Sequence, residues 1–177
     1  MRIIFITGGA RSGKSAYALS QAQVFTGKKA FIATAQALDD EMSRRIDIHR
    51  KERGSTFDTY EEPIKISQII EELKPRYDVM LIDCLTLWLS NIMYARLDVI
   101  HEMDKLVGAI LADARDPRAG ASPAAIVIVS NEVGMGIVPK NTLARQFRDY
   151  QGILNQHIAG IANEVYLMVA GIPVRIK

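Results

Sequence analysis

The stretch that decides the fold is GGARSGKS, Gly8-Gly9-Ala10-Arg11-Ser12-Gly13-Lys14-Ser15, which follows the apolar run RIIFIT, Arg2 to Thr7. Gly8-x-x-x-x-Gly13-Lys14-Ser15 has the spacing of the Walker A phosphate loop. Each position has a physical reason. Glycines let backbone N–H groups turn inward around phosphate oxygens. The helix that follows starts with unpaired N–H groups and a partial positive charge, which suits an anion. Lys14 is placed to reach the outer phosphates of a nucleotide, and the Ser15 hydroxyl to ligate Mg²⁺. An apolar strand before the loop and a helical pattern after it, Gly13 to about Phe25 with Gly27 at its end, supply the context that the motif requires. All eight residues of the loop are therefore nucleotide-binding candidates, with Lys14 also catalytic.

Working outward, a second strand is predicted at Lys29–Thr34 and a helix over 39–53, acidic in its first turn and basic in its last. A short helix follows at Ile64–Leu73, stopped by Pro75, and then a third strand, Asp78–Asp83. Helical pattern runs from about Leu85 to Ala114 with a break near Arg96, and 116–123 reads as a surface loop. Ala125–Ser130 is the fourth strand, followed by the irregular segment NEVGMGIVP. Asn141 or Thr142 caps a long helix with Leu143, Phe147, Tyr150, Leu154, Ile158 and Ile161 on one face. The closing YLMVAGIPVRIK predicts a hairpin around Ala170-Gly171. Strands alternating with helices predict an α/β fold of the P-loop NTPase, RecA-like kind. Its sheet is expected to be mostly parallel, with helices on both faces and an antiparallel hairpin at the C-terminal edge. No linker divides residues 1–177, so a single domain is expected.

Composition narrows the function classes. The 177 residues are 49% hydrophobic and 24% charged, with a net charge of +2, too mild for a nucleic-acid or anionic-membrane partner. No run of apolar residues is long enough for a membrane span, and the N-terminus does not read as a signal peptide. The one cysteine, Cys84, leaves no internal disulfide. A cytoplasmic protein is the expectation. A guanine switch would carry Asn-Lys-x-Asp, which is absent, and a nucleic-acid motor a basic, aromatic-studded groove, whereas aromatics are 7% here.

Asp83 ends the strand DVMLID, where a second carboxylate can hold Mg²⁺; capping the helix from Leu85 is its other reading. In the helix over 39–53, Met42, Ile46, His49 and Arg53 share one face, with Arg44, Arg45, Arg50 and Lys51 nearby. Such a surface suits a triphosphate, and an imidazole beside its α-phosphate can act as a nucleophile. From the residues alone, a packed or capping histidine fits His49 as well, and the whole chain also fits a small-molecule kinase without nucleotidyl transfer.

The sequence resembles the bifunctional adenosylcobinamide kinase / adenosylcobinamide-phosphate guanylyltransferase family of cobalamin biosynthesis. The resemblance runs nearly end to end through GGARSGKS, ATAQALDDEM with RIDIH, DCLTLWLSN, SNEVGMGIVP, RQFRD with GILNQ, and VYLMVAGIPVRIK. It implies phosphorylation of the aminopropanol hydroxyl of adenosylcobinamide by ATP or GTP. It then implies transfer of GMP from GTP, through a GMP–histidine intermediate, giving adenosylcobinamide-GDP. The Arg-Ile-x-x-His pattern places that role on His49. The resemblance also implies Mg²⁺, the corrinoid and its phosphate as substrates, and a homo-oligomer, often a trimer. It marks Arg50, Lys51 and Arg53 as contacts for GTP or pyrophosphate and Asp83 for the metal. Thr34 and Ala35 match nucleotide-lining positions or are strand-end packing. Glu62 reaches the nucleotide or complements a helix N-terminus. Asn131 and Glu132 meet substrate or cap, and Arg145 and Arg148 meet phosphate, corrinoid or solvent. Cys84 is expected buried and inert, Trp88 in the core or a subunit interface, and Phe57 an apolar anchor.

Overall fold

The computed structural model describes residues 1–37, 40, 43–44, 50, 54–112 and 123–177. Along the chain these form β1 (Arg2–Gly8), α1 (Lys14–Gln23), β2 (Lys29–Ala33), β3 (Asp58–Glu61), α2 (Ile66–Leu73) and β4 (Val79–Asp83). Then come α3 (Leu85–Tyr94), α4 (Val99–Leu111), β5 (Ala125–Val129), α5 (Thr142–Ile161), β6 (Glu164–Val169) and β7 (Ile172–Arg175). The strands make one sheet in the order β3-β2-β4-β5-β1-β6-β7. All pairs are parallel except β6 with β7.

Strands β4 and β5 and most of β1 are buried at nearly every position, as a parallel sheet covered on both faces requires. Their residues alternate between two cores. Ile3, Phe5, Met80, Ile82, Ile126 and Ile128 pack under α2, α3, α4 and α5. Ile4, Ile6, Leu81, Val127 and Val129 pack against α1 through Ala18 and Ala22. Trp88 is buried in the first core, and its Nε1 donates to the Ile64 carbonyl at 2.8 Å, which ties α3 to the segment entering α2. Phe57 is buried in the second core, edge-on to Phe31 with ring centres 6.3 Å apart, as an apolar anchor should be.

The break near Arg96 is real. Between α3 and α4, Arg96 takes φ 56°, and Asp98 caps α4 by accepting from the His101 N–H. Asn141, rather than Thr142, caps α5, accepting from the Ala144 N–H at 3.1 Å. The hairpin turns on Ala170 and Gly171, at φ 51° and 83°, the positive values a two-residue turn demands. The predicted helix over 39–53 and loop over 116–123 lie mostly outside the described residues.

Two expectations are corrected. Residues 58–61 form an edge strand that the sequence reading passed over, because DTYE is short, polar and mostly exposed, without the apolar alternation that marks strands. Leu143 is exposed instead of sitting on the buried face of α5. That face is completed by Gln151 and Asn155, which a hydrophobic-periodicity reading cannot select.

At the sheet end opposite the phosphate loop, Glu164 is buried and accepts from the Tyr166 hydroxyl at 2.7 Å and from the Arg2 guanidinium. The Tyr166 hydrogen bond first, and Arg2 after it, hold this carboxyl below its usual 4.5 despite burial. A lowered carboxyl contributes stability that is full above the unfolded value and lost as the pH falls through the folded one. Glu164→Gln should therefore cost about 1–3 kcal/mol at pH 7 in urea unfolding. The gap to wild type should shrink steadily as the pH is taken below the unfolded carboxyl's 4.5; a gap independent of pH would contradict this account.

Candidate active site

The sheet register builds the site. Val129 of β5 lies opposite both Ile6 of β1 and Asp83 of β4, and Ala33 of β2 lies opposite Asp83. The carboxyl ends of β2, β4 and β5 thus finish at one level, and β1 runs past them to Gly8, at the edge where an open α/β sheet presents its ligand crevice. Backbone bonds extend the alignment past the strands. The Ser130 N–H donates to the Ile6 carbonyl and the Glu132 N–H to the Gly8 carbonyl, each at 3.0 Å.

The phosphate loop is shaped by its glycines and by the hairpin behind it. Gly8 has φ 148° and Gly13 φ 91°, and a side chain on Gly8 would place its Cβ 2.6 Å from the Met168 carbonyl oxygen. The Gly171 N–H donates to the Ser12 carbonyl at 3.1 Å, so the β6–β7 turn braces the loop from the side. Lys14 is buried, and its Nζ donates to the Gly9 carbonyl and, at 3.4 Å, to the Ser12 Oγ. Burial pushes its pKa down, and the nearby Cys84 and Asp83 work in the opposite direction. Ser15 follows it, half-buried in the first turn of α1.

Asp83 is half-buried at the end of β4, joined to Cys84 by a cis peptide bond. The residue at the N-cap position of α3 is Cys84, one past Asp83. The Cys84 thiol is pushed up to about 12, by burial first and the Asp83 charge second, and stays protonated at neutral pH. Thr34 is fully buried: its hydroxyl donates to the Cys84 carbonyl at 2.7 Å and accepts from the Cys84 N–H at 2.9 Å. It laces β2 to β4 at the crevice floor. Asn91 adds to this, donating to the carbonyls of Thr34 and Pro63 at 2.9 and 3.0 Å.

Beside the crevice lies an open cleft of about 420 Å³, lined by Ala35, Gln36, Ser43, Arg50 and Glu61 among others. Arg50 pairs with Glu61 across it. Glu62 faces elsewhere and accepts from the Ile64 and Lys65 N–H groups at 2.9 and 2.7 Å, a cap for the approach to α2. His49, Lys51 and Arg53 lie outside the described residues. Arg145 is engaged by the carbonyls of Pro139 and Lys140, and Arg148 by Asp149.

Three residues that sequence reasoning missed, Asn91, Gln151 and Asn155, all serve this crevice. Gln151 is fully buried on α5; its Nε2 donates to Ser130 Oγ and to Asn155 Oδ1, both at 2.9 Å. Asn155 in turn donates to the Asn131 carbonyl at 3.0 Å and, at 3.4 Å, to a Glu132 carboxylate oxygen. Their only sequence signal is an amide where a helix face calls for an apolar residue.

The chain matches the family described as cobinamide kinase / cobinamide phosphate guanyltransferase over residues 4–176. It belongs to that family. Among its relatives is the bifunctional adenosylcobalamin biosynthesis protein CobU of Escherichia coli (strain K12), 40% identical with 99% of each chain covered. Another is the bifunctional adenosylcobalamin biosynthesis protein CobP of Pseudomonas aeruginosa, 39% identical over 97% of this chain and 95% of that protein. Among solved structures, a prototypical ATPase from a bacterial type III secretion system covers 94% of this chain at a TM-score of 0.57 and 9% identity. This chain spans 50% of that ATPase. The RadB recombinase covers 94% of this chain and 73% of its own at a TM-score of 0.52 and 14% identity. Both likenesses concern the fold, and they agree with the P-loop NTPase, RecA-like architecture expected from the loop. Family membership makes the chain a kinase and nucleotidyltransferase of cobalamin biosynthesis. Among the described residues, no helix is long and apolar enough to cross a membrane.

Gly8→Ala should strain the loop against Met168 and the positive φ, lowering stability by about 1–3 kcal/mol and weakening nucleotide binding in a calorimetric titration. Binding unchanged from wild type would show that the loop does not hold the phosphates.

Proposed function

We propose that the chain phosphorylates the aminopropanol hydroxyl of adenosylcobinamide with ATP or GTP, then transfers GMP from GTP through His49 to the new phosphate. The observation that carries this reading is the full-length likeness to bifunctional relatives, together with a complete phosphate loop beside Asp83. In the first reaction the alcohol oxygen attacks the γ-phosphorus and the nucleoside diphosphate leaves. Lys14 and the loop amides meet the charge on the phosphates. In the second, an imidazole nitrogen of His49 attacks the α-phosphorus and pyrophosphate leaves. The phosphate oxygen of the corrinoid then takes the GMP and frees the histidine. His49 must be neutral to attack. Arg50, Lys51 and Arg53 are the contacts for GTP or pyrophosphate in this scheme, and Thr34 and Ala35 shape the nucleotide site from the end of β2, whereas Glu62, expected there from the sequence, is taken up by the Ile64 and Lys65 amides.

The donors near the loop suit Mg²⁺. Ser15 and Asp83 offer a hydroxyl and a carboxylate, hard oxygen ligands of the kind that bind Mg²⁺ together with substrate phosphates and water. Bound there, Mg²⁺ would draw charge from the transferring phosphate. The resemblance further supports a cytoplasmic homo-oligomer.

The test is direct. Wild-type protein and His49→Ala are incubated with Mg²⁺ and GTP labelled on the α-phosphate, then denatured. Label on wild type that is acid-labile, base-stable and missing from the variant is the expected result. An unlabelled wild type with bound nucleotide would overturn the guanylyl-transfer half and leave a kinase.

A further inference from the structure

We propose that Glu132 takes the proton of the acceptor alcohol during phosphoryl transfer, and that Gln151 and Asn155 are the residues that position it. This rests on the kinase half of the function proposed above.

The placement follows from topology. Strand β5 lies between β1 and β4, so the chain leaving it emerges between the phosphate loop and Asp83. Glu132 is tied there by its own backbone, the N–H donating to the Gly8 carbonyl at 3.0 Å. Among the described residues its carboxylate is held by long contacts alone, from the Gly134 N–H and from Asn155 Nδ2, each at 3.4 Å. Among the described residues no cation pairs with it, and its oxygens retain the capacity to accept from a substrate hydroxyl.

The neighbouring groups are otherwise engaged. Glu61 pairs with Arg50, Glu62 caps the entry to α2, and the Cys84 thiol, raised by burial, is a poor base. Asp83 stands at the proposed metal position, where a carboxylate bound to a cation is not available for a proton.

The buried amides explain themselves on this view. Ser130 and Gln151 are fully buried and Asn155 nearly so, where apolar side chains would fill the space without desolvating polar groups. Gln151 Oε1 even accepts no hydrogen bond among the described residues. What the network achieves is fixation of the strand exit: Gln151 holds Ser130 and Asn155, Thr86 Oγ1 accepts from the Asn131 N–H at 2.8 Å, and Asn155 donates to the Asn131 carbonyl and reaches the Glu132 carboxylate at 3.4 Å. Apart from that one oxygen, the network pairs its buried polar groups, and such pairing specifies one arrangement of the strand exit.

The step balances. The alcohol oxygen forms a bond to the γ-phosphorus, the bond from that phosphorus to the bridging oxygen breaks, and the nucleoside diphosphate departs with the electron pair. The alcohol proton passes to the Glu132 carboxylate and then to water.

The test compares full-length wild type, Glu132→Gln and Gln151→Met in steady-state phosphorylation of adenosylcobinamide by ATP, alongside labelling of the protein by GTP. Glu132→Gln should lower kcat about 100-fold or more with KM for ATP within about threefold of wild type. Its protein-bound GMP should persist, since that step removes no alcohol proton. Gln151→Met should lower kcat for phosphorylation about tenfold while GMP labelling and the KM for ATP stay near wild type. Wild-type kcat in Glu132→Gln would overturn the proton-acceptor role alone. A Gln151→Met variant that loses both half reactions equally, in step with its folded fraction by circular dichroism, would overturn the positioning role. Wild-type protein that transfers no phosphate to adenosylcobinamide would overturn the functional reading and this proposal with it.

Discussion

Parallel pairing of β5 with both β4 and β1, in one register, is the constraint on which the site depends. Because Val129 stands level with Asp83 on one side and Ile6 on the other, β4 and β5 end together while β1 carries on to the phosphate loop at Gly8. The period of a strand is two residues, so a slip of one position in either pairing would turn the buried rows of Ile126–Ile128 and Leu81–Asp83 to the wrong face. The core and the crevice are therefore fixed by the same packing. Residues that make no contact with phosphate, such as Ile128 and Ile82, set where Lys14, Asp83 and Glu132 stand.

A second layer of constraint comes from distant sequence. The loop that opens the chain is braced by its last turn, through Gly171 and Met168. The exit from β5 is held by α5 and by Thr86 at the start of α3. Thr34 and Asn91 join the ends of β2 and β4 to the edge of the cleft. The crevice is thus made of short segments that each lean on another element, which suits a site that must hold its groups in fixed geometry.

Much of this was legible in the sequence for local reasons. The phosphate loop, the strand ending at Asp83, the hairpin at Ala170-Gly171 and the break at Arg96 each carry their own chemistry within a few residues. Strand β3 was not legible, since its polar edge position is a consequence of pairing with β2 and leaves no pattern in DTYE. Gln151 and Asn155 were hidden for a related reason: periodicity counts apolar residues, and these two are buried for what they hold. The carboxylates before α2 also needed coordinates. Glu61 and Glu62 are adjacent in sequence, yet one pairs with Arg50 and the other caps backbone amides.

The most direct test of the crevice as the shared nucleotide site is a crystal structure with a non-hydrolysable ATP analogue and Mg²⁺. This account predicts the β- and γ-phosphates on the amides of Gly9 through Ser15, the metal between Ser15 and Asp83, and the Glu132 carboxylate facing the γ-phosphate. A triphosphate seated in the Arg50–Glu61 cleft, with the loop bare of phosphate, would contradict it.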